Sequence, residues 1–161
     1  MTIYALKIKA NLDNVARMIP LNNNMWKFDI VSNGGERREG ITVTTADEID
    51  LEGSRGHANF VMKWPGTHHQ SYIKIVDLKK CSGIYTAEDA AGGKFVPILG
   101  LECRGLEIER WVPEVDFVVE TADGTIFEDV DLSDSDGWAE YDEENDAAVS
   151  ITELESVIER V

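Results

Sequence analysis

Gly53-Ser54-Arg55-Gly56 is the segment of this chain that looks most like a phosphate cradle. Such cradles follow the pattern Gly-x-x-x-x-Gly-Lys-Ser/Thr and open a helix whose N-terminal N–H groups hold the anion. Neither condition is met here, so the segment reads as a turn, with Arg55 placed to reach an acid. His57, His68 and His69 are the imidazole candidates. Adjacent residues on a strand point to opposite sides, so His68 and His69 do not chelate one ion together; they read as a polar hairpin tip, which His57 joins only if the fold brings it near. Asp134, Asp136, Gly137 and Glu143 match four positions of a calcium-binding loop, but the first ligand position is Leu132 and no helices flank the stretch. Glu102, Glu107 and Glu109, near Arg104 and Arg110, could form a carboxylate pair for acid–base chemistry, and Cys103 could be a nucleophile. Nothing fixes a carboxylate separation, and no histidine lies near Cys103 in sequence, so ion pairs and a buried thiol are the plainer expectations.

The elements that must hold these residues are strands. Tyr4, Leu6, Ile8, Ala10 and Leu12 share one face of residues 3–12, and Lys7 and Lys9 take the other. Residues 25–31 and 40–45 flank Ser32-Asn33-Gly34-Gly35, a turn that tolerates positive φ. Residues 57–64 and 71–77 flank Pro65-Gly66. Strand patterns resume at 95–103, 106–112, 115–121 and 125–131, the last two joined by Ala122-Asp123-Gly124. Residues 133–146 are too acidic and too rich in glycine and aspartate to be a strand, so they are expected as a loop pinned by Trp138 and Tyr141. Residues 147–152 suit a final strand, whereas Ile151, Leu154, Ile158 and Val161 also fit helical spacing.

The strands repeat. Ile8 aligns with Leu101, Val15 with Ile108, Arg17 with Arg110, Met18 with Trp111 and Pro20 with Pro113. After a shift of four residues, Phe28 aligns with Phe117, Ile30 with Val119, Ser32 with Thr121, Gly35 with Gly124 and Ile41 with Val130. The expected fold is therefore all-β and mainly antiparallel: two similar sandwich- or barrel-like halves related by a pseudo-twofold, with few short helices. Residues 1–80 form one half, 81–94 a connecting loop and 95–161 the other, packed as one unit.

The halves differ in charge. Residues 1–100 carry 12 Lys/Arg and 11 Asp/Glu, and residues 101–161 carry 3 and 20, which together give the chain its net charge of −16. That field repels nucleic acid and anionic membrane and suits a basic protein partner. Asp134, Asp136, Glu140, Asp142, Glu143 and Glu144 are the candidate interaction surface. Two cysteines, Cys81 and Cys103, form neither a disulfide framework nor a Cys-x-x-Cys pair. No apolar run reaches the length of a membrane helix, and MTIYALKIKA lacks the features of a secretory leader, so a cytoplasmic protein is expected.

GSRGHANFVMK (53–63), ECRGLE (102–107), Phe117, Gly124, Phe127-x-Asp129-x-Asp131-Leu132, Trp138 and Tyr141-Asp142-Glu143 together resemble the eukaryotic CXXC-motif-containing zinc-binding proteins, a family of uncharacterised function. The resemblance runs nearly end to end. It implies two similar antiparallel β halves and one zinc held by two Cys-x-x-Cys pairs. Placed on this chain, the first pair falls on Val31 and Gly34 and the second on Trp64 and Thr67. Valine, glycine and tryptophan cannot bind zinc, and a lone threonine is a poor ligand. No zinc and no other cofactor is therefore expected. Val31 and Trp64 are expected to replace the metal by burial, with Asn33-Gly34 and Pro65-Gly66 closing the turns unaided.

Three functions remain in view. The leading one is a non-enzymatic protein-interaction module. The alternatives are metal handling through His57, His68, His69 or the acidic loop, and an enzyme with an unrecognised site between the halves.

Overall fold

Alternation in the first strand sets the plan: Leu6, Ile8 and Ala10 are buried while Lys7 and Lys9 keep contact with water, which only a two-residue period allows. The computed structural model describes residues 1–161. Its strands are β1 (Thr2–Asp13), β2 (Val15–Pro20), β3 (Trp26–Val31), β4 (Arg37–Val43), β5 (Ile49–Asp50), β6 (His57–Ala58), β7 (Phe60–Met62), β8 (Ser71–Val76) and β9 (Tyr85–Thr86). A single helical turn, α1 (Ala87–Ala91), precedes β10 (Val96–Arg104), β11 (Glu107–Trp111), β12 (Val115–Thr121), β13 (Ile126–Asp131), β14 (Trp138–Asp142) and β15 (Ala147–Arg160). No helix is long and apolar enough to cross a membrane.

The largest sheet has six strands in the order β14-β15-β1-β10-β8-β7. At its centre β1 and β10, the repeated first strands, run antiparallel with Tyr4 opposite Leu101, Ala5 opposite Gly100 and Leu6 opposite Leu99. Two smaller sheets flank it, β13-β12-β2-β9 and β11-β3-β4, and β5 pairs with β6 as a short ribbon.

The smaller sheets revise the expected division into residues 1–80 and 95–161. β2 leaves its own half and pairs with β12, Met18 opposite Val119. Its repeat counterpart β11 does the reverse and pairs with β3, Trp111 opposite Phe28. Each half thus lends its second strand to the other half's hairpin, and one core runs through both. Trp26, Trp111 and Phe117 meet there with ring centroids 6.1–6.2 Å apart, a spacing at which edge-to-face aromatic pairs are favourable.

Three local expectations are corrected. Residues 81–94 are not simply a loop: β9 adds to β2, and Thr86 caps α1 in a reciprocal box with Asp89. Tyr85 is fully buried, and its hydroxyl donates to the Ala10 carbonyl and accepts from the Ala10 N–H. Residues 138–142, expected in an acidic loop, are strand β14, paired with β15 from Trp138–Ile151 to Asp142–Ala147. Trp138 packs edge-on against Phe127 at 5.6 Å, but Tyr141 is half exposed and pins nothing. The last residues are one strand of 14 residues, with no helix. A bulge opposite Lys9–Asn11, with Glu153 at φ 53°, inserts one residue and flips the pleat. Ile151 and Leu154 therefore share a face at a spacing of three, which imitates a helix.

Candidate functional site

Val31 and Gly34 sit at the tip of the β3–β4 hairpin, and Trp64 and Thr67 at the turn between β7 and β8. The first tip closes through Ser32. Its backbone N–H donates to Glu36 O at 2.7 Å, its carbonyl accepts from Gly35 N at 3.0 Å, and its hydroxyl accepts from Gly34 N and Glu36 N at 3.2 and 3.0 Å. The repeat-related turn of the other half closes the same way. Thr121 N donates to Thr125 O at 2.8 Å, its carbonyl accepts from Gly124 N at 3.0 Å, and its hydroxyl accepts from Thr125 N at 3.0 Å. Gly35 and Gly124 have φ of 90° and 91°, where only glycine is unstrained.

The second turn closes through Thr67, whose N–H and hydroxyl both donate to the Trp64 carbonyl, at 3.1 and 2.7 Å. Trp64 is 5% exposed, and its indole N–H donates to the Gly105 carbonyl at 3.0 Å. Gly34, Trp64 and Thr67 line one open cavity of about 490 Å³; Val31 does not line it and instead pairs with Arg37 and Glu107 across the sheet. The turns that the resemblance assigns to thiolates thus do face each other. The four residues at the positions the resemblance assigns to thiolates do not fit zinc, because none offers a thiolate, imidazole or carboxylate and the Thr67 hydroxyl is already committed; Glu36 and His69 also line the cavity, but no third ligand joins them. No three His, Cys, Asp or Glu side chains anywhere converge in a metal-binding group.

The other candidates scatter. His57 Nδ1 lies 2.8 Å from Asp50 on the β5–β6 ribbon, apart from the cavity that His68 and His69 line. Glu109 takes a paired contact from Arg37 at 2.8–2.9 Å, Glu107 meets Arg160, and Glu102 accepts from the Tyr72 hydroxyl at 3.0 Å. Cys103 is 1% exposed, and burial, with the Glu102 charge adding to it, pushes its thiol up to about 12. That keeps it protonated and a poor nucleophile. Burial also raises Cys81, which donates to Pro97 O at 3.4 Å.

Asp134 and Asp136 stand in the β13–β14 turn, Glu140 on β14, and Glu143 and Glu144 in the turn that follows; all are exposed, and none pairs with a protein cation. Leu132 is buried, Asp134 and Asp136 close a tight turn in which Gly137 N–H donates to the Asp134 carbonyl at 3.0 Å, and strand β14 follows, so the calcium-loop spacing does not gather ligands. Asp142 must be withdrawn from the interaction surface. It is 3% exposed, and hydrogen bonds from Asn145 hold it below the usual carboxylate range. A buried carboxylate that the sequence did not reveal joins β3 to β11: Asp29, 3% exposed, accepts from Nε of the exposed Arg110 at 2.6 Å and from Gly40 N at 2.9 Å.

Residues 5–159 match the sequence profile of the family described as CXXC motif containing zinc binding protein, eukaryotic. A rat protein of that name is 34% identical over 154 residues, 93% of each chain. A Drosophila melanogaster protein described as UPF0587 is 36% identical over 162 residues, 97% of this chain and 96% of that one. Among solved structures, a hypothetical protein from Plasmodium falciparum superposes with a TM-score of 0.89 at 31% identity, covering 98% of this chain and 99% of that one. The chain therefore belongs to the eukaryotic CXXC motif containing zinc binding protein family.

Proposed function

We propose that the protein is a non-enzymatic cytoplasmic interaction module that works without zinc and takes a basic protein segment on the acidic surface around β14. The supporting observation is the run of exposed carboxylates at Asp134, Asp136, Glu140, Glu143 and Glu144, none neutralised by a lysine or arginine of this chain. Acids that only solubilise a surface need not cluster beside one edge strand, and clustered unpaired charge speeds and orients docking of an opposite charge. The absence of thiolates at Val31, Gly34, Trp64 and Thr67 supports the metal-free part of the reading, as does the self-closure of both turns.

Two measurements test it. Elemental analysis of untagged protein is expected to find substoichiometric zinc; one tightly held equivalent would overturn the metal-free reading. Partner capture at low and high salt is then compared between the native chain and a variant with Asp134, Asp136, Glu140, Glu143 and Glu144 changed to the matching amides. A salt-sensitive basic partner, lost in the variant, is expected. Identical capture by both proteins would sink the surface assignment.

A further inference from the structure

A cavity of about 330 Å³ lies between the 52–54 turn, the 68–70 segment and the end of β10. It adjoins the space between the two self-closing turns through His69, Gln70 and Arg104, which line both. We infer that this cavity binds a phosphate group carried on a small ligand.

The case rests on which hydrogen-bonding capacity is left over. Arg110 and Arg160, two of the three cations of the acidic half, each meet a carboxylate, but Arg104 meets none. Glu52, an acid of the lining, is within 3.4 Å of Lys63. The Gln70 side-chain oxygen accepts from Glu52 N at 2.7 Å, which leaves its NH₂ group for a ligand. The Ser54 hydroxyl accepts from Gly56 N at 3.1 Å, which leaves its own proton to donate. Tyr72 gives its proton to Glu102 at 3.0 Å. His68 and His69 add ring N–H groups with no protein partner. The free capacity is thus a set of donors around one planar guanidinium, and a phosphate monoester offers only acceptors in a geometry that such a fork matches. Glu36 lines the adjoining cavity, which places the phosphate on the Ser54 side. The volume lies at the small end of ligand sites and suits a phosphorylated sugar. The net charge of −16 on the whole chain disfavours polyanions such as nucleic acid. The turn at Gly53-Ser54 thus takes part without any helix behind it, and the site stands independently of the acidic surface.

NMR titration of the full chain with ribose 5-phosphate, inorganic phosphate and ribose tests the inference. The sugar phosphate is expected to move the amide resonances of Ser54, Gln70 and Arg104 saturably, and ribose to move none. An equal response to inorganic phosphate supports the site and assigns it to the free ion. Arg104→Gln is expected to weaken binding by about tenfold or more, as loss of a charge-assisted pair should. Arg55→Gln, in the same loop but outside the lining, leaves binding unchanged. If Arg104→Gln does not fold, the double variant His68→Gln/His69→Gln takes its place. The inference is overturned if neither phosphate produces saturable shifts, or if Arg55→Gln weakens binding as much as Arg104→Gln.

Discussion

Ser32 and Thr121 do the same job 89 positions apart. Each uses one hydroxyl to hold the N–H four residues on, in a turn whose carbonyl and glycine also match. The hairpin to which the family resemblance assigns the first Cys-x-x-Cys pair is therefore closed here as the other half closes its own. At the facing turn stands Trp64. Its ring is buried and its N–H is used, so Trp64→Ala loses both packing and a hydrogen bond. We expect a loss of about 3–5 kcal/mol in chemical denaturation, and only about 1 kcal/mol for Trp64→Phe, which keeps the packing. The Gly105 carbonyl still receives the Ser71 hydroxyl at 3.2 Å in both variants. An unchanged midpoint in Trp64→Ala would show that the tryptophan is incidental.

The strand edges carry the main lessons at the level of elements. β14 escaped notice in the sequence because acid-rich, glycine-led segments usually lie in loops, yet that composition is also how an edge strand resists further pairing. Gly137 makes the approach possible. It sits at φ 97°, and a Cβ there would come within 2.4 Å of the Ile151 carbonyl. Gly137→Ala is expected to detach β14 while sparing β1 and β10. Amide exchange at residues 138–142 should speed by at least about tenfold, as for a local opening; protection equal to the native chain would refute this. Most strands and all three short turns were legible from alternation and turn residues. The last strand was legible only over residues 147–152, because its bulge turns a two-residue period into helical spacing at Ile151 and Leu154. Of the site, the facing turns could be placed by family motif, but Arg104 could not. Its significance is that nothing neutralises it, and pairing is a property of the folded chain.

Across the whole molecule, opposing charge effects set the response to acid. Burial pushes Asp29 upward, but the Arg110 hydrogen bond, the Gly40 N–H and the nearby guanidinium charges outweigh it and leave it below the ordinary value. A carboxyl lowered on folding stabilises above its unfolded pKa, near 4, and loses that contribution as pH falls through the folded value. Asp116 runs the other way: burial raises it, so its contribution is present at low pH and is lost as pH rises through its folded value. Protonating surface acids also relieves the repulsion of a chain with net charge −16. Thermal melts should therefore peak on the acid side of neutrality, at about pH 5–6, and fall steeply below about pH 4. Asp29→Asn should flatten that acid limb, and a limb as steep as the native one would exclude Asp29 as its source. The pseudo-twofold could be seen in the sequence because aligned residues keep their character. The exchange of β2 and β11 could not, since either hairpin would offer the same apolar face to a second strand from its own half.

That exchange constrains how the protein is born. During synthesis β2 leaves the ribosome long before β12 exists, and with only the two-residue β9 to pair with before then, its other edge waits unpaired. Shelter for the nascent N-terminal segment, rather than early local folding, then becomes the step that limits the yield of native protein.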